Sequence, residues 1–344
     1  MTTAGADWSV TGPEQVADGI FRIPLPLPTD SLRAVNVYAL ITDDGVTMID
    51  GGWALAEAEE ALRASLGKLS LSLADIRRFL VTHCHRDHYT QAVALRRTFG
   101  ADVAIGIGEE PNLRQLTSGP EENQLSPSGR EAILHRAGAA DLGARYSVAV
   151  AGERQSGQWE LPSRWLTPGS EEKTGKWALR AIATPGHTRG HLVFHEVAQG
   201  LLFAGDHVLP RITPSIGFEA TQVAYPLRDF MSSLQLMLGL PDAILLPAHG
   251  PVAPSVHARV AELLDHHRLR LEAAFDAVER GADTGLAVAQ QLTWTRHERT
   301  LAELGLVSQV MAVCETLAHL DVLALEERLA CATGADGIAR FQPS

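Results

Sequence analysis

Apolar residues in the first hundred positions alternate between short strand-like runs and longer stretches with helical spacing. Strand-like runs cover residues 20–27, 36–42, 46–50, 76–81 and 102–107, and helical spacing covers residues 54–69 and 91–99. Strands that alternate with helices of this length are typical of a layered α/β domain.

The pattern changes twice before residue 254. Residues 109–142 are polar and contain Pro, Gly and Ser, which predicts an insertion of helices and loops near the mouth of a site. From residue 145 to 209, short apolar runs separated by Gly and Pro turns predict antiparallel strands. An amphipathic helix over 226–240 and a short strand over 242–246 follow.

Beyond residue 254 the spacing is mostly helical. Helices are predicted over 256–280, 286–292 and 308–320, and two strands over 323–328 and 337–342 are predicted to be joined by a turn at 334–337. Helices followed by a hairpin favour a winged-helix module. We therefore expect a first domain over 1–254 and a winged-helix-like second domain over 255–344.

The charge balance opposes some kinds of partner. The 344 residues are 45% apolar and carry 41 acidic against 29 basic side chains, a formal net charge of −12. This excess disfavours non-specific binding to nucleic acid or to an anionic membrane. Local basic patches at Arg77–Arg78 and Arg96–Arg97 stay open, although a solvated helix face explains both pairs more simply.

Three further features of the sequence bear on the cellular compartment and on membrane association. The cysteines Cys84, Cys314 and Cys331 form no spaced framework, which suits a reducing compartment. The first ten residues have neither a basic nor an apolar signal region. We see no apolar run near the roughly 20 residues that span a bilayer, so we expect a soluble, cytoplasmic protein without a membrane.

The segment His83-Cys84-His85-Arg86-Asp87-His88 concentrates the candidate chemistry. His83 and His85 project to one side of an extended segment, and Asp87 and His88 follow at once. Imidazole with carboxylate suits zinc, or divalent iron or manganese, better than calcium or magnesium. The side chain of Cys84 should point away from these residues, and we interpret it as a packing residue.

Three more polar residues follow predicted strands. His187 lies in the turn Thr184–His187, Asp206 follows Gly205, and His249 precedes Gly250. Each comes at the carboxyl end of a strand, where loops often carry chemistry. A single such histidine is usually structural, but the order HxHxDH, GH, GD, HG is specific.

These motifs resemble the metallo-β-lactamase superfamily, in its hydrolase branch with a complete dinuclear site. The resemblance covers about Gly19 to Pro254, and Asp50-Gly51-Gly52 matches the first motif of the superfamily. It implies a four-layer αββα sandwich with two divalent metal ions at one edge. It implies a first metal held by His83, His85 and His187, a second held by Asp87, His88 and His249, and Asp206 as the bridge.

The resemblance also implies roles around the ligands. Asp50 and His191 match positions that orient ligating imidazoles, although Asp50 could otherwise be a simple turn cap. Asp87 would act as orienter and general base towards a metal-bridging hydroxide. The chain departs from the family pattern at Tyr89, where small residues are common, and at Arg189, where proline is usual. Tyr89 could contact substrate or pack, and Arg189 could contact an anionic substrate or be solvated.

The later segments are similar to the subgroup of β-lactamase-like protein 2, which contains thioester hydrolases and a single-strand RNA endonuclease. We expect a hydrolase with two ions, zinc before iron or manganese, that acts on a small ester, thioester or lactone. An RNA endonuclease is the alternative, and a DNA-binding regulator is a third hypothesis. The third is weakened because Ser308–Leu320 contains no Arg or Lys. Packing of these helices against the first domain, or against a second subunit in a homodimer, stays open.

Overall fold

The computed structural model describes residues 7–28, 32–118, 129–150 and 158–344. A seven-stranded sheet has its strands in chain order, antiparallel from β1 to β4 and parallel from β4 to β7. Its strands are β1 (Glu14–Ala17), β2 (Ile20–Pro26), β3 (Ala34–Thr42), β4 (Gly45–Ile49), β5 (Ile76–Val81), β6 (Asp102–Gly106) and β7 (Arg164–Leu166). The parallel steps from β4 to β6 are made through α1 (Ala56–Lys68) and α2 (Arg86–Phe99).

A five-stranded sheet faces the first one. It runs in the order β12-β11-β10-β9-β8, antiparallel except between β11 and β12. The strands are β8 (Glu171–Thr174), β9 (Trp177–Ala183), β10 (Leu192–Glu196), β11 (Leu201–Gly205) and β12 (Ile244–Pro247). The parallel step from β11 to β12 contains α6 (Pro226–Leu238).

The remaining helices lie in the insertion and after β12. The insertion contains α3 (Glu110–Thr117), α4 (Gly129–Arg136) and α5 (Ala140–Val150), and its residues 119–128 lie outside the described part of the chain. The chain ends with α7 (Val256–Glu279), α8 (Gly285–Gln291), α9 (Leu306–Leu325) and the hairpin of β13 (Leu329–Thr333) and β14 (Ala339–Pro343).

Three apolar cores separate four layers. The first lies between α1, α2 and the seven-stranded sheet and includes Leu62, Phe79 and Val93. The second lies between the two sheets and includes Leu80 and Phe203. The third joins the outer face of the five-stranded sheet to α6, α7 and α9. This arrangement confirms the predicted α/β class and the αββα sandwich.

Three predicted boundaries are wrong. Helix α2 begins at Arg86 instead of residue 91, so the second half of the histidine motif is helical. Helix α5 continues through residues 145–150, where strands were expected. Helix α9 continues to Leu325, and the first hairpin strand begins only at Leu329. In the last case Val322 and Leu323 are buried in the third core as part of the helix.

The C-terminal helices pack on the outer face of the five-stranded sheet. Val193 and Leu202 of the five-stranded sheet share one core with Val260 of α7 and Leu320 of α9. Residues from both sides of position 254 thus share one core. The domain boundary at 254 and the winged-helix assignment stay predictions. The segment Ser308–Leu320 lies largely inside this core, which is unsuited to a helix that reads a nucleic-acid groove.

Helix α9 also corrects the expectation about apolar runs. Its length and composition would allow it to cross a membrane. However, 61% of the apolar window is buried inside the protein, against α5, α7 and α8. A buried core helix has the same composition, so this finding is weak support for a membrane span.

Phe230 of α6 is central to the third core. Its side chain is fully buried, and its ring lies 5.3 Å from the His207 ring and 5.4 Å from the His267 ring. A Cβ atom on Gly186 would come within 2.4 Å of the Phe230 backbone, so α6 packs directly on the loop that carries His187.

We predict that Phe230→Ala lowers the free energy of unfolding by about 3–5 kcal/mol, because it leaves a cavity that the packed helices cannot fill. Leu236→Ala on the same helix is the matched control, since Leu236 is 46% exposed, and it should cost less than about 1 kcal/mol. Urea unfolding followed by circular dichroism measures both. Equal losses in the two variants would show that the core does not depend on Phe230.

Candidate metal centre

The candidate ligands converge because their strands point the same way. β4 and β5 are parallel, and β9, β11 and β12 share a direction within the other sheet. The carboxyl ends of these strands therefore meet at one edge of the sandwich, where the Leu192 amide also donates to the Thr82 carbonyl across the two sheets at 2.8 Å. His83, His187, Asp206 and His249 each follow such an end.

Helix α2 delivers the rest of the motif. His85 is the residue that caps its N-terminus, and Asp87 and His88 lie in its first turn. The helix starts where β5 has just ended, so the extended and helical halves of one hexapeptide face the same point. A carboxylate in the first turn also suits the positive end of the helix dipole.

A first group of four side chains surrounds the Nδ1 atom of His85. This atom lies 3.0 Å from Nε2 of His83 and 2.9 Å from Nε2 of His187. Oδ2 of Asp206 is 3.4 Å from the same His187 nitrogen. One donor atom from each of the four residues lies within 4.8 Å of the others.

A second group contains Asp87, His88 and His249. Oδ2 of Asp87 lies 3.3 Å from Nε2 of His249 and 3.8 Å from Nε2 of His88. The three donor atoms lie within 4.8 Å of one another. The structure therefore brings all seven predicted ligand positions together, and the two groups match the two sets that the resemblance implies, with Asp206 in the first group.

Asp206 lies between the two groups. While its Oδ2 faces His187, its Oδ1 is 3.6 Å from Nε2 of His88 and 3.5 Å from Nε2 of His249. One carboxylate thus offers an oxygen atom to each group.

The second nitrogen of several rings is fixed by a hydrogen bond. Nδ1 pairs with Asp50 Oδ2 at 2.9 Å in His88, with the Ser215 carbonyl at 2.8 Å in His187, and with the Ala34 carbonyl at 2.8 Å in His249. A carbonyl or carboxylate partner requires a proton on Nδ1, which leaves Nε2 available as a metal ligand.

Asp50 supports the site through its backbone as well as its charge. It has a φ angle of 60°, a left-handed conformation that few residues other than Gly, Asn and Asp adopt. Oδ1 accepts from the Thr82 amide at 2.7 Å, and the Thr82 hydroxyl reaches both oxygens at 3.0 Å. The predicted supporting position of Asp50 is thus in direct contact with His88.

His191 supports Asp206 from behind. Its Nε2 accepts from the Asp206 amide at 3.2 Å, and its Nδ1 lies 2.8 Å from the Thr184 hydroxyl. Gly205 makes this approach possible, since a Cβ there would come within 2.7 Å of both His191 Nε2 and the Thr82 hydroxyl. His191 therefore positions the backbone of the shared carboxylate.

The protonation states of the first group favour metal binding. Burial, reinforced by neighbouring imidazoles, holds the pKa of His83 and His85 well below the ordinary value. Burial also lowers the pKa of His187, although Asp206 opposes it. The three rings are therefore neutral and have lone pairs to donate at neutral pH.

The second group carries positive charge in the protein alone. Burial opposes a charged His88, but Asp50, Asp87 and Asp206 outweigh it and raise the pKa to about 10. The pKa of His249 is also raised, because Asp206 and Asp87 outweigh burial. Burial would raise the pKa of Asp87, yet His88 and His249 hold it well below its usual range. A bound cation would take the place of the protons on the two imidazoles.

The residues present fit a metal centre. Nε2 of His88, Nε2 of His249 and Oδ1 of Asp206 are buried and make no hydrogen bond with the part of the chain that the structure describes. Buried polar atoms are rarely left in this state without a ligand, an ion or water. Nitrogen donors from imidazole and oxygen donors from carboxylate are those that zinc and divalent iron or manganese accept.

Cys84, which lies between two of these ligands in the sequence, is a packing residue as predicted. It is buried in the first core, and burial raises the pKa of its thiol well above the ordinary value.

Two candidate substrate residues are corrected. Tyr89 is fully buried, its ring stacks on Trp159, and its hydroxyl donates to the Glu160 carbonyl at 2.8 Å, so it packs and does not face a substrate. Arg189 is neither free nor simply solvated. It donates to the carbonyls of Thr221 and Gln222 and lies 3.5 Å from the Glu219 carboxylate, so it holds the segment before α6.

Sequence reasoning missed several side chains around the centre. Thr82 and Ser215 hold the rings of His83 and His187 through hydrogen bonds that no local motif predicts. Arg130 of α4 lies near enough to His85 to lower its pKa, and its guanidinium lies 4.3 Å from the centre of the Phe218 ring. The position of Arg130 depends on how the insertion packs over the sheet edge.

Comparison with known proteins places this geometry in a family. The model of the Metallo-beta-lactamase superfamily matches residues 30–249. The probable metallo-hydrolase YqjP of Bacillus subtilis (strain 168) is 27% identical over 316 residues, which cover 90% of this chain and 92% of that protein. A metallo-beta-lactamase family protein of Thermus thermophilus has a similar crystal structure, with a TM-score of 0.73, 26% identity, and coverage of 96% of this chain and 100% of that chain.

Two further relatives carry more specific names. The atrochrysone carboxyl ACP thioesterase of Aspergillus fumigatus is 24% identical over 328 residues, 91% of this chain and 64% of that protein. A beta-lactamase-like protein 2 homolog of Caenorhabditis elegans is 34% identical over 106 residues, 31% of this chain and 33% of that protein. A family match over more than half of the chain, together with the clustered donors, shows that the chain belongs to the metallo-β-lactamase superfamily and is a metal-dependent hydrolase.

Proposed function

We propose that this protein is a dinuclear hydrolase that cleaves a small ester, thioester or lactone. The observation that carries the dinuclear assignment is the position of Asp206, whose two oxygens face different groups of imidazoles. In this proposal Asp206 bridges two ions. The first ion is held by His83, His85 and His187, and the second by Asp87, His88 and His249.

Zinc is the ion that the donor set favours. Five imidazoles and two carboxylates form a nitrogen-rich set that suits zinc, with iron or manganese as alternatives. When bound, such a pair of ions lowers the pKa of a shared water towards neutrality and polarises the scissile carbonyl group.

The chain's own residues supply proton handling and orientation. In the proposed reaction Asp87 accepts the proton of the attacking water at a carboxylate oxygen. The Asp87 side chain is 20% exposed, whereas His88 beside it is fully buried. A partly exposed carboxylate can pass that proton to solvent, which a buried imidazole cannot do as readily.

The substrate class is supported by a relative and by charge. The thioesterase named above aligns with 91% of this chain, and an acyl thioester presents the same carbonyl chemistry as an ester or lactone. The net charge of −12 disfavours a polyanionic substrate. Arg130 acts on the pKa of His85 as a positive charge, and in this proposal it binds a carboxylate carried by a small acyl group.

We expect the purified, zinc-loaded protein to hydrolyse at least one member of a panel of acyl thioesters, aryl esters and lactones. The Asp206→Asn variant should lose at least about 100-fold in kcat/KM, because even partners outside the ligand set cost 10–100-fold when removed. Asp43→Asn, at an exposed position, is the matched control and should retain full activity.

A single-stranded RNA substrate belongs in the same panel, at low and high salt. Cleavage of RNA with a steep salt dependence, in the absence of any acyl hydrolysis, would identify a ribonuclease and refute the ester proposal. No turnover of any substrate by protein with a full metal content would also refute it.

The Asp50→Asn variant tests whether the Asp50 carboxylate is needed to orient His88. Asparagine tolerates the left-handed backbone and preserves the volume of the side chain, so the change removes mainly the charge. We expect the zinc concentration for half-maximal reactivation of the metal-free protein to rise about 10–100-fold. Asp18→Asn, in an exposed ion pair with Lys176, should leave it unchanged. An unchanged value in Asp50→Asn would mean that His88 needs no carboxylate partner.

Arg130→Ala tests the placement of the substrate. Loss of a charged hydrogen bond of about 1.5–3 kcal/mol should raise KM for a thioester with a terminal carboxylate by roughly tenfold or more. KM for a neutral acyl thioester should change less than about twofold. Arg228→Ala removes an arginine that is about half exposed and stacks on Tyr225, and it should affect neither substrate. Equal losses on both thioesters would exclude a contact between Arg130 and the substrate carboxylate.

A further inference from the structure

A second cluster of metal-binding side chains lies between α7 and α9. His266 and His267 of α7 and Glu315 of α9 each place one donor atom within 4.8 Å of the other two. None of them belongs to the paired centre at the sheet edge. His267 is fully buried, while His266 and Glu315 are partly exposed, so an ion can reach the cluster from solvent.

A chain of hydrogen bonds fixes the tautomer of His267. Nδ1 of His319 donates to the Glu315 carbonyl at 2.7 Å, so its Nε2 is a hydrogen-bond acceptor. That Nε2 lies 3.2 Å from Nδ1 of His267, which must therefore supply the proton. The lone pair of His267 is then on Nε2.

This Nε2 atom is a buried group without a partner. It makes no hydrogen bond within the described residues, and its ring has zero exposure. A ring whose Nδ1–H is held by an acceptor and whose Nε2 has a lone pair has the arrangement of a metal-ligating histidine. Buried polar atoms in an ordinary core are hydrogen-bonded, so packing alone does not explain the unpartnered Nε2 of His267.

The two histidines of the cluster are neutral. Burial lowers the pKa of His266 and of His267, so both rings are neutral. Burial raises the pKa of Glu315 to about 7, although Arg270 opposes the shift. Arg270 is also occupied elsewhere, over the Trp294 ring at 4.4 Å and on the Thr293 carbonyl at 3.0 Å.

We propose that His266, His267 and Glu315 bind a further zinc ion that joins α7 to α9, with His319 as the residue that orients His267. Two imidazoles and one carboxylate are a recognised zinc ligand set. Because Asp206, Asp87 and the other residues of the paired centre take no part, this proposal does not depend on the proposed function.

The expected role of this ion is structural. The His267 ring lies 5.4 Å from the Phe230 ring, and Phe230 packs against Gly186 beside His187. An ion that ties α7 to α9 therefore stabilises the helical layer behind the loop of His187. None of its three proposed ligands belongs to the paired centre, so it should alter stability more than turnover.

The test compares zinc content between variants of the full chain, purified without a polyhistidine tag. Each protein is dialysed against Zn²⁺ at a fixed free concentration, and zinc per chain is measured by inductively coupled plasma mass spectrometry. Glu315→Gln and His266→Asn should each bind one ion fewer than the unmodified protein. The rise in melting temperature on addition of Zn²⁺ should be smaller in both variants than in the unmodified protein, because they lack the contribution of this ion. His297→Asn, at an exposed position, is the control and should bind the full number.

The difference of one ion is independent of how many ions the paired centre binds, so failure of the dinuclear proposal would not be mistaken for failure of this one. kcat should stay within about twofold in both variants. Equal zinc contents in the unmodified protein, Glu315→Gln and His266→Asn would refute the site. His266 is partly exposed and Glu315→Gln preserves volume, so at least one variant is expected to fold, as circular dichroism will verify.

Discussion

Asp206 is the side chain on which the geometry of the candidate centre depends. It is buried, and it lies 3.4–3.6 Å from nitrogens of His187, His88 and His249. A buried carboxylate among imidazoles is stable only when positive charge compensates it, either from protons or from metal ions. In the protein alone, protons on His88 and His249 provide that charge, whereas in the proposed enzyme two cations do. The same carboxylate thus links stability and chemistry.

The fold contributes to this arrangement by bringing backbone very close to backbone. Gly205 allows His191 and Thr82 to approach the strand end that carries Asp206, and Gly186 allows α6 to pack on the loop of His187. Asp50 adopts a left-handed conformation and holds Thr82 and His88 at once. Backbone strain of this kind persists only where the surrounding structure determines it. The strain and the tight contacts cluster at the carboxyl ends of the strands, next to the candidate ligands.

Much of this site could be predicted from the sequence because its signals are local. Apolar runs ending in His, Asp or Gly mark strand ends, and parallel strands in a sandwich bring such ends to one edge. The hexapeptide from His83 to His88 needs no long-range information, although its helical half was missed. Tyr89 and Arg189 were harder, because burial of a tyrosine against Trp159 and of an arginine against a distant loop depends on tertiary contacts. Ser215 and Arg130 gave no signal at all, since each reaches the site through irregular backbone or the insertion.

The cluster on α7 and α9 also could not be predicted from the sequence. His266-His267 and Glu315 are far apart in the sequence, and on a helical pattern each is compatible with a polar face or a core position. Only the packing of α9 against α7 turns them into neighbours. The hydrogen bond that His267 donates to His319 then decides the tautomer of His267, and with it that the lone pair lies on Nε2. His88, His187 and His249 of the paired centre and His267 of this cluster thus share one arrangement, in which a hydrogen-bonded Nδ1–H leaves the lone pair on Nε2. They differ in charge, because Asp87 and Asp206 give the paired centre two carboxylates where the cluster has one carboxylate and a nearby arginine. That difference favours catalysis at the sheet edge and a structural ion between the helices.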